Sequence, residues 1–190
     1  MKNLQKGGCK LKILITGLGI TGKSIFHKWQ TDNLKNFSNQ VIALNFDYDR
    51  DKIPDIFNPC SIYIIEDCNG PCENAVLPLS RYNLVYYMLP SWFTHLKFYL
   101  TRLRIWFENG NFNWDADQGP KGSWSGTGKP YDWRNIPGIL KYFWKYFPKR
   151  RRAIKKDLEV LKASNLPVYL VIPSGKLEEL TYTFKFLYKK

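Results

Sequence analysis

Eight residues near the start of the chain have the types and spacing of a phosphate-binding loop. The segment 17–24 reads Gly-Leu-Gly-Ile-Thr-Gly-Lys-Ser and fits the pattern G-x-x-x-x-G-K-[ST]. In such a loop backbone N–H groups point at phosphate oxygens, the lysine reaches the β and γ phosphates, and the last hydroxyl binds Mg²⁺. The residues predicted to bind a nucleotide are Gly17, Leu18, Gly19, Ile20, Thr21, Gly22, Lys23, Ser24 and Ile25.

Acidic residues that would complete phosphoryl-transfer chemistry follow two apolar runs. Glu66 and Asp67 come after an isoleucine-rich run and are candidate Mg²⁺ ligands together with Ser24. Adjacent strand residues point to opposite faces, so we expect only one of the two acids to face the loop. Asp47 and Asp49 follow another run and would orient an acceptor hydroxyl. Turn formation explains these two aspartates equally well.

Cations are also needed to neutralise charge on the transferred phosphoryl group. Arg102 and Arg104 lie at the end of a predicted helix and are candidates, as are Arg150 and its neighbours further along. Residues 109–135 between them are rich in glycine, proline and tryptophan, which predicts a lid or loop insertion. Its tryptophans either stack on a ring-bearing substrate or anchor the loop. We expect the two histidines, at 27 and 95, to be packing residues.

The elements that position these residues alternate along the chain. Apolar runs predict five strands, and intervening segments predict helices, the second of them capped by Ser91. The strands are at 11–16, 40–46, 61–66, 84–89 and 167–172, and the helices are at 23–31, 91–107, 137–163 with a break near Pro148, and 176–187. Continuously apolar strands separated by helices are typical of a parallel sheet covered on both faces, here within one domain spanning 1–190.

The charge favours anionic partners. The chain has 29 Lys and Arg against 16 Asp and Glu, a net charge of +13, and much of the excess lies in 141–156. Three interpretations fit this basic segment: a solvated helix face, a source of phosphate contacts in a kinase lid, and a surface that binds nucleic acid. No apolar run is long enough to span a membrane and the first residues are polar, so we expect a cytoplasmic protein. The sequence leaves the oligomeric state open.

The order of these motifs resembles a known family. A Leu-Pro-Ser-Trp run at 89–92 follows a strand, arginines and a Gly/Pro-rich lid come next, Lys-Arg-Arg-Arg follows at 149–152, and Val-Ile-Pro-Ser ends a late strand at 171–174. This arrangement is similar to the adenylate-kinase-like P-loop proteins, and within them to the DNA topology modulation branch. The resemblance implies a three-layer α/β P-loop fold with a five-stranded parallel sheet of order 2-3-1-4-5. It also implies ATP, Mg²⁺ and phosphoryl transfer to a nucleotide, nucleoside or other small hydroxyl compound.

Two other classes of protein fit parts of the sequence. Asp67-Cys68-Asn69-Gly70 matches the D-x-x-G element of GTP-binding switch proteins, although no guanine-reading Asn-Lys-x-Asp motif follows a late strand. An ATPase that acts on nucleic acid through the basic segment 141–156 is the other alternative. We expect a P-loop kinase, with Lys23, Asp47, Asp49, Arg102 and Arg104 as its catalytic residues.

Overall fold

One mixed β-sheet of six strands and three helices make up the described part of the chain. The computed structural model describes residues 11–45, 49, 52, 58, 61–67, 71, 77–109, 144, 147–176 and 179–187. The elements in chain order are β1 (Lys12–Gly17), α1 (Lys23–Lys35), β2 (Val41–Asn45), β3 (Ile62–Asp67), β4 (Leu84–Met88), α2 (Trp92–Asn109), α3 (Arg150–Ala163), β5 (Val168–Ser174) and β6 (Thr181–Phe186).

The first five strands are parallel and have the predicted order. The complete sheet is ordered β2-β3-β1-β4-β5-β6, and β6 runs antiparallel to β5 at the edge. Two sequence predictions are therefore wrong: the sheet is neither purely parallel nor limited to five strands, and the predicted helix 176–187 is largely a strand. The sequence Thr-Tyr-Thr-Phe-Lys-Phe alternates aromatic residues with Thr and Lys at period two. This period and the aromatic and β-branched content fit a pleated strand better than a helix.

The sheet buries apolar side chains on both faces. Alternate residues of β1 belong to two clusters: Ile13 and Ile15 pack with Phe26 of α1, whereas Leu14 packs with Leu161 of α3. Because successive strand residues point to opposite faces, α1 and α3 lie on opposite sides of the sheet. Helices on both faces explain why the central strands are apolar throughout, as the sequence indicates.

The other predicted strands and helices agree with the elements that the structure describes. Ser91 caps α2 as predicted, because its Oγ accepts a hydrogen bond from the backbone N–H of Thr94 at 3.1 Å. A turn interrupts the helical region beside Pro148, and α3 begins at Arg150. The predicted insertion 109–135 lies outside the described residues except for Asn109, the last residue of α2. No helix in the described ranges is long and apolar enough to cross a membrane.

Candidate phosphate-binding site

The segment between β1 and α1 forms a turn that requires glycine at both ends. Gly17 has φ 141°, and a Cβ there would lie 2.8 Å from the carbonyl oxygen of Met88. Gly22, the N-cap of α1, has φ 82° in the left-handed region. A side chain is strongly disfavoured in both conformations. The first and last glycines of the motif therefore set the course of the backbone between strand and helix.

One non-glycine residue of the loop is also strained. Ile20 has φ 59°, which is the left-handed conformation that β-branched residues rarely adopt. Such a conformation costs about 1–3 kcal/mol and is found disproportionately at ligand sites. The Thr21 hydroxyl braces the same loop by donating to the Leu18 carbonyl at 2.9 Å. The loop is thus held in a conformation that its local sequence does not favour.

Lys23 lies against the start of the loop. Its side chain is buried, and Nζ donates to the carbonyl oxygens of Gly17 at 3.1 Å and Leu18 at 2.6 Å. The N-cap of α1 is Gly22, which has no side chain to cap the helix. The first backbone N–H groups of a helix have no intrahelical acceptor and carry the positive end of the helix dipole. The Lys23 ammonium and the first N–H groups of α1 are both positive and lie at the same end of the helix, which suits an anion.

Ser24 contacts a carboxylate that two elements hold in place. Its Oγ donates to Glu66 Oε1 at 2.9 Å, and Asn45 Nδ2 donates to Glu66 Oε2 at 3.1 Å. Asn45 ends β2 and is paired with Glu66 in the parallel register of β2 and β3. Both carboxylate oxygens therefore have a donor, which fixes the carboxylate beside the last residue of the motif. The sequence analysis missed Asn45, although a polar residue ending an apolar strand is a recognisable signal.

Asp67 points away from this group. It follows Glu66 directly on β3, is paired in register with Thr16, and is 1% exposed. Its neighbour Tyr82 belongs to the cluster on the α3 face of the sheet. Burial raises the pKa of Tyr82, and the charge of Asp67 raises it further. Glu66 therefore faces the loop, and Asp67 faces the opposite side of the sheet, as expected for adjacent strand residues.

Asp49 participates in a turn after β2. Its carboxylate accepts hydrogen bonds from the backbone N–H of Asn45 at 3.0 Å and from Lys52 Nζ at 2.7 Å. Burial raises the pKa of Asp49, but these two hydrogen bonds and the electrostatic effects of Lys52 and His27 together leave the pKa below its usual value. These contacts fit the turn-forming alternative. Asp47 lies outside the described residues, as do three of the four positions of the D-x-x-G element, 68–70.

The first turns of α2 pack on the loop, and the predicted arginines lie further along the same helix. A Cβ placed on Gly22 would lie 3.2 Å from the ring of Phe98. Arg102 and Arg104 follow Phe98 by four and six residues within α2, and Arg104 is exposed. The helix that carries both arginines therefore packs on the loop 17–24. Their contact with a transferred phosphoryl group stays a prediction.

His95 joins the loop to α3, which the sequence analysis did not foresee. Its Nε2 lies 3.0 Å from the Gly19 carbonyl oxygen, and Arg150 Nε donates to its Nδ1 at 2.9 Å. A guanidinium NH2 of Arg150 also donates to the Pro90 carbonyl. Arg150 is buried, so it is not one of the mobile lid cations considered from the sequence. His27 does pack as expected, with its Nε2 lying 3.2 Å from the Ile64 carbonyl oxygen.

The partners of His95 define its protonation. Arginine is only a donor and a carbonyl is only an acceptor, so the ring is neutral with its proton on Nε2. Burial is the largest of the effects that lower the pKa of His95 to about 4, although the hydrogen bond to Gly19 acts in the opposite direction. The positive charges of Arg150 and Lys23 also contribute to this lowering. The contact between His95 and Arg150 joins residues 55 positions apart, and no local pattern in the sequence predicts it.

The described residues contain no cluster of three or more His, Cys, Asp or Glu side chains that could hold a metal ion. The hard oxygen donors beside the loop are the Ser24 hydroxyl and the Glu66 carboxylate. Comparison with protein-family models, curated proteins and solved structures finds no match to this chain.

Proposed function

We propose that this chain binds ATP with Mg²⁺ at the loop 17–24 and transfers a phosphoryl group to a small hydroxyl acceptor. The observation that carries the proposal is the 2.9 Å hydrogen bond between Ser24 Oγ and Glu66 Oε1. This hydrogen bond joins Ser24, the last residue of the motif, to Glu66, and the sequence analysis predicted both as Mg²⁺ ligands. A hydroxyl and a carboxylate suit nucleotide-bound Mg²⁺, which uses one or two protein ligands besides phosphates and water.

Three groups supply the phosphate side of the site in this proposal. Loop amides and the N-terminal N–H groups of α1 bind phosphate oxygens, and Lys23 exchanges a carbonyl contact for the β or γ phosphate. Bound Mg²⁺ would neutralise charge between these phosphates, with Ser24 and Glu66 on its protein side. The strained φ of Ile20 supports the assignment, because backbone strain is concentrated at ligand sites.

The acceptor side is proposed from the sequence and the resemblance. Carboxyl ends of parallel strands are where ligands of such sheets bind, and Asp47 and Asp49 follow the carboxyl end of β2 in the sequence. Asp47 is the proposed acceptor-orienting residue, because Asp49 is engaged by Asn45 and Lys52. Arg102 and Arg104 are the proposed cations for the transferred group.

The proposal is tested by ATP consumption with Mg²⁺ and a panel of nucleosides, nucleotides and small alcohols. We expect Lys23→Ala to abolish turnover, because no other buried ammonium on the described residues touches the loop. Lys28→Ala is the matched control, since Lys28 is an exposed lysine on the same helix. Thermal unfolding of both variants separates loss of chemistry from loss of fold.

Two outcomes would redirect the assignment. If the wild type consumes ATP no faster than Lys23→Ala with every acceptor, phosphoryl transfer is refuted. A large preference for GTP over ATP, with hydrolysis and no acceptor, would favour the GTP-binding switch alternative. ATP hydrolysis that requires nucleic acid would favour the ATPase alternative.

A further inference from the structure

Exposed aromatic and basic side chains meet where α2 and α3 begin. Trp92 and Phe93, the first residues of α2, are 46% and 77% exposed. Lys149, Arg151 and Arg152 at the start of α3 are also exposed. We call this group the aromatic-basic surface, and it consists of Trp92, Phe93, Phe147, Lys149, Arg151 and Arg152.

The starts of α2 and α3 are adjacent. The ring centroid of Trp92 lies 5.6 Å from that of Phe147 and 5.1 Å from that of Phe93, both in edge-to-face arrangements. Arg150, directly before Arg151, donates to the Pro90 carbonyl just before α2. These contacts place the exposed rings of α2 next to the segment 147–150, where the cations of α3 begin, although the two segments are distant in sequence.

The acidic residues of α3 have partners away from the cations of this surface. In the ranges that the structure describes, Lys149, Arg151 and Arg152 form no ion pair, and the acid of α3 closest to them in sequence, Asp157, is buried against Tyr87. Glu159 lies near Lys155, 4.0 Å away, further along the helix. The first turn of α3 contains no acid, although basic residues there oppose the helix dipole. Helix stability therefore does not explain this concentration of charge.

We propose that the aromatic-basic surface binds single-stranded nucleic acid. Exposed rings offer flat faces on which unpaired bases stack, and the three cations bind the phosphates that link those bases. Bases in a duplex are already stacked on one another, so the exposed rings favour a single strand over a duplex. Arginine planes also stack on bases, which suits two of the three cations to this role. This inference does not depend on the proposed phosphoryl transfer.

Fluorescence anisotropy with a labelled oligothymidylate of about 16 nucleotides tests the proposal, with a matching duplex as competitor. We expect Phe93→Ala to weaken single-strand binding about tenfold, the effect of losing one stacked base. Phe37→Ala is the control, because Phe37 is an 86% exposed aromatic residue beyond the end of α1. We expect this control to bind as the wild type does.

The salt dependence tests the basic part of the surface. Three neutralised phosphates predict a slope of log K against log salt of about −2, and Arg151→Gln should reduce its magnitude by about 0.7. Equal binding of duplex and single strand would overturn the proposal. So would equal effects of Phe93→Ala and Phe37→Ala, which would indicate general attraction to a chain of net charge +13. Tighter binding to anionic lipid vesicles than to the oligonucleotide would overturn it as well.

Discussion

Arg150 donates a hydrogen bond from its Nε to Nδ1 of His95 at 2.9 Å, and the pair connects α3 to the loop between β1 and α1. The same histidine contacts the Gly19 carbonyl oxygen through Nε2 at 3.0 Å. A peptide unit is planar, and its C=O and N–H point in opposite directions. Holding the Gly19 carbonyl against His95 therefore directs the N–H of Ile20 away from His95. The pair thus fixes the orientation of one peptide in the loop.

The buried neutral state of His95 predicts a pH-dependent stability. Burial lowers its pKa to about 4 from the ordinary 6.5, so the unfolded chain binds more protons between these values. The stability that comes from keeping His95 neutral is fully present above pH 6.5 and is lost as the pH falls toward 4. We expect the free energy of unfolding to decrease by up to about 3 kcal/mol across that window. Denaturant unfolding at a series of pH values measures it.

His95→Gln isolates this effect from the other titrating groups. Glutamine offers one acceptor for Arg150 and one donor for Gly19 but does not titrate. We expect the difference in unfolding free energy between wild type and variant to change with pH only below about 6.5. A difference that is constant from pH 7 to pH 4 would show that His95 does not titrate in this way.

The orientation of Glu66 predicts which acid supports Mg²⁺. Glu66 contacts Ser24, whereas Asp67 lies on the other face of the sheet. Glu66→Gln keeps an acceptor for Ser24 but removes the charge. We expect the Mg²⁺ concentration for half-maximal turnover to rise about 10- to 100-fold. Asp67→Asn is the matched variant and should leave this concentration unchanged; the reverse result would assign the metal to Asp67.

How far the sequence predicts this structure depends on the range of the interactions involved. The period of apolar residues and the phosphate-loop spacing placed β1, α1 and the parallel strands, because these signals are local. The sequence predicts a helix at 176–187, whereas the structure has the strand β6. Pairing with β5 determines the conformation of this short segment, and that pairing is not a local signal. Contacts such as Asn45 with Glu66 and Arg150 with His95 depend on strand order and helix placement. One sequence read along its length does not contain that information.

Two tyrosines predict opposite effects of losing a hydroxyl group. Tyr87 donates to Asp157 at 2.8 Å, and both side chains are buried between the sheet and α3. Tyr87→Phe removes a partner of a buried carboxylate, and we expect stability to fall by about 1–3 kcal/mol.

Tyr182 is the contrasting case. Its hydroxyl is buried without a hydrogen-bond partner among the described residues, and burial raises its pKa to about 12. Tyr182→Phe should therefore leave stability unchanged or increase it, because the buried hydroxyl is lost without loss of a hydrogen bond. Urea unfolding of both variants checks the pair. Equal destabilisation by the two substitutions would contradict the assigned roles.

The close approach of β4 to the loop predicts that Gly17 cannot be replaced. A methyl group at Gly17 would lie 2.8 Å from the Met88 carbonyl oxygen, and φ 141° is unfavourable for alanine. Overpacking and backbone strain each cost about 1–3 kcal/mol, so we expect Gly17→Ala to reduce the free energy of unfolding by about 3 kcal/mol.

Gly19→Ala is the control on the same loop, because Gly19 is not among the described residues with positive φ. There alanine restricts the unfolded chain without native strain, so stability should stay level or rise by up to about 1 kcal/mol. Denaturant unfolding distinguishes the two, and comparable losses from both substitutions would mean that the loop is not held against β4 in the way described.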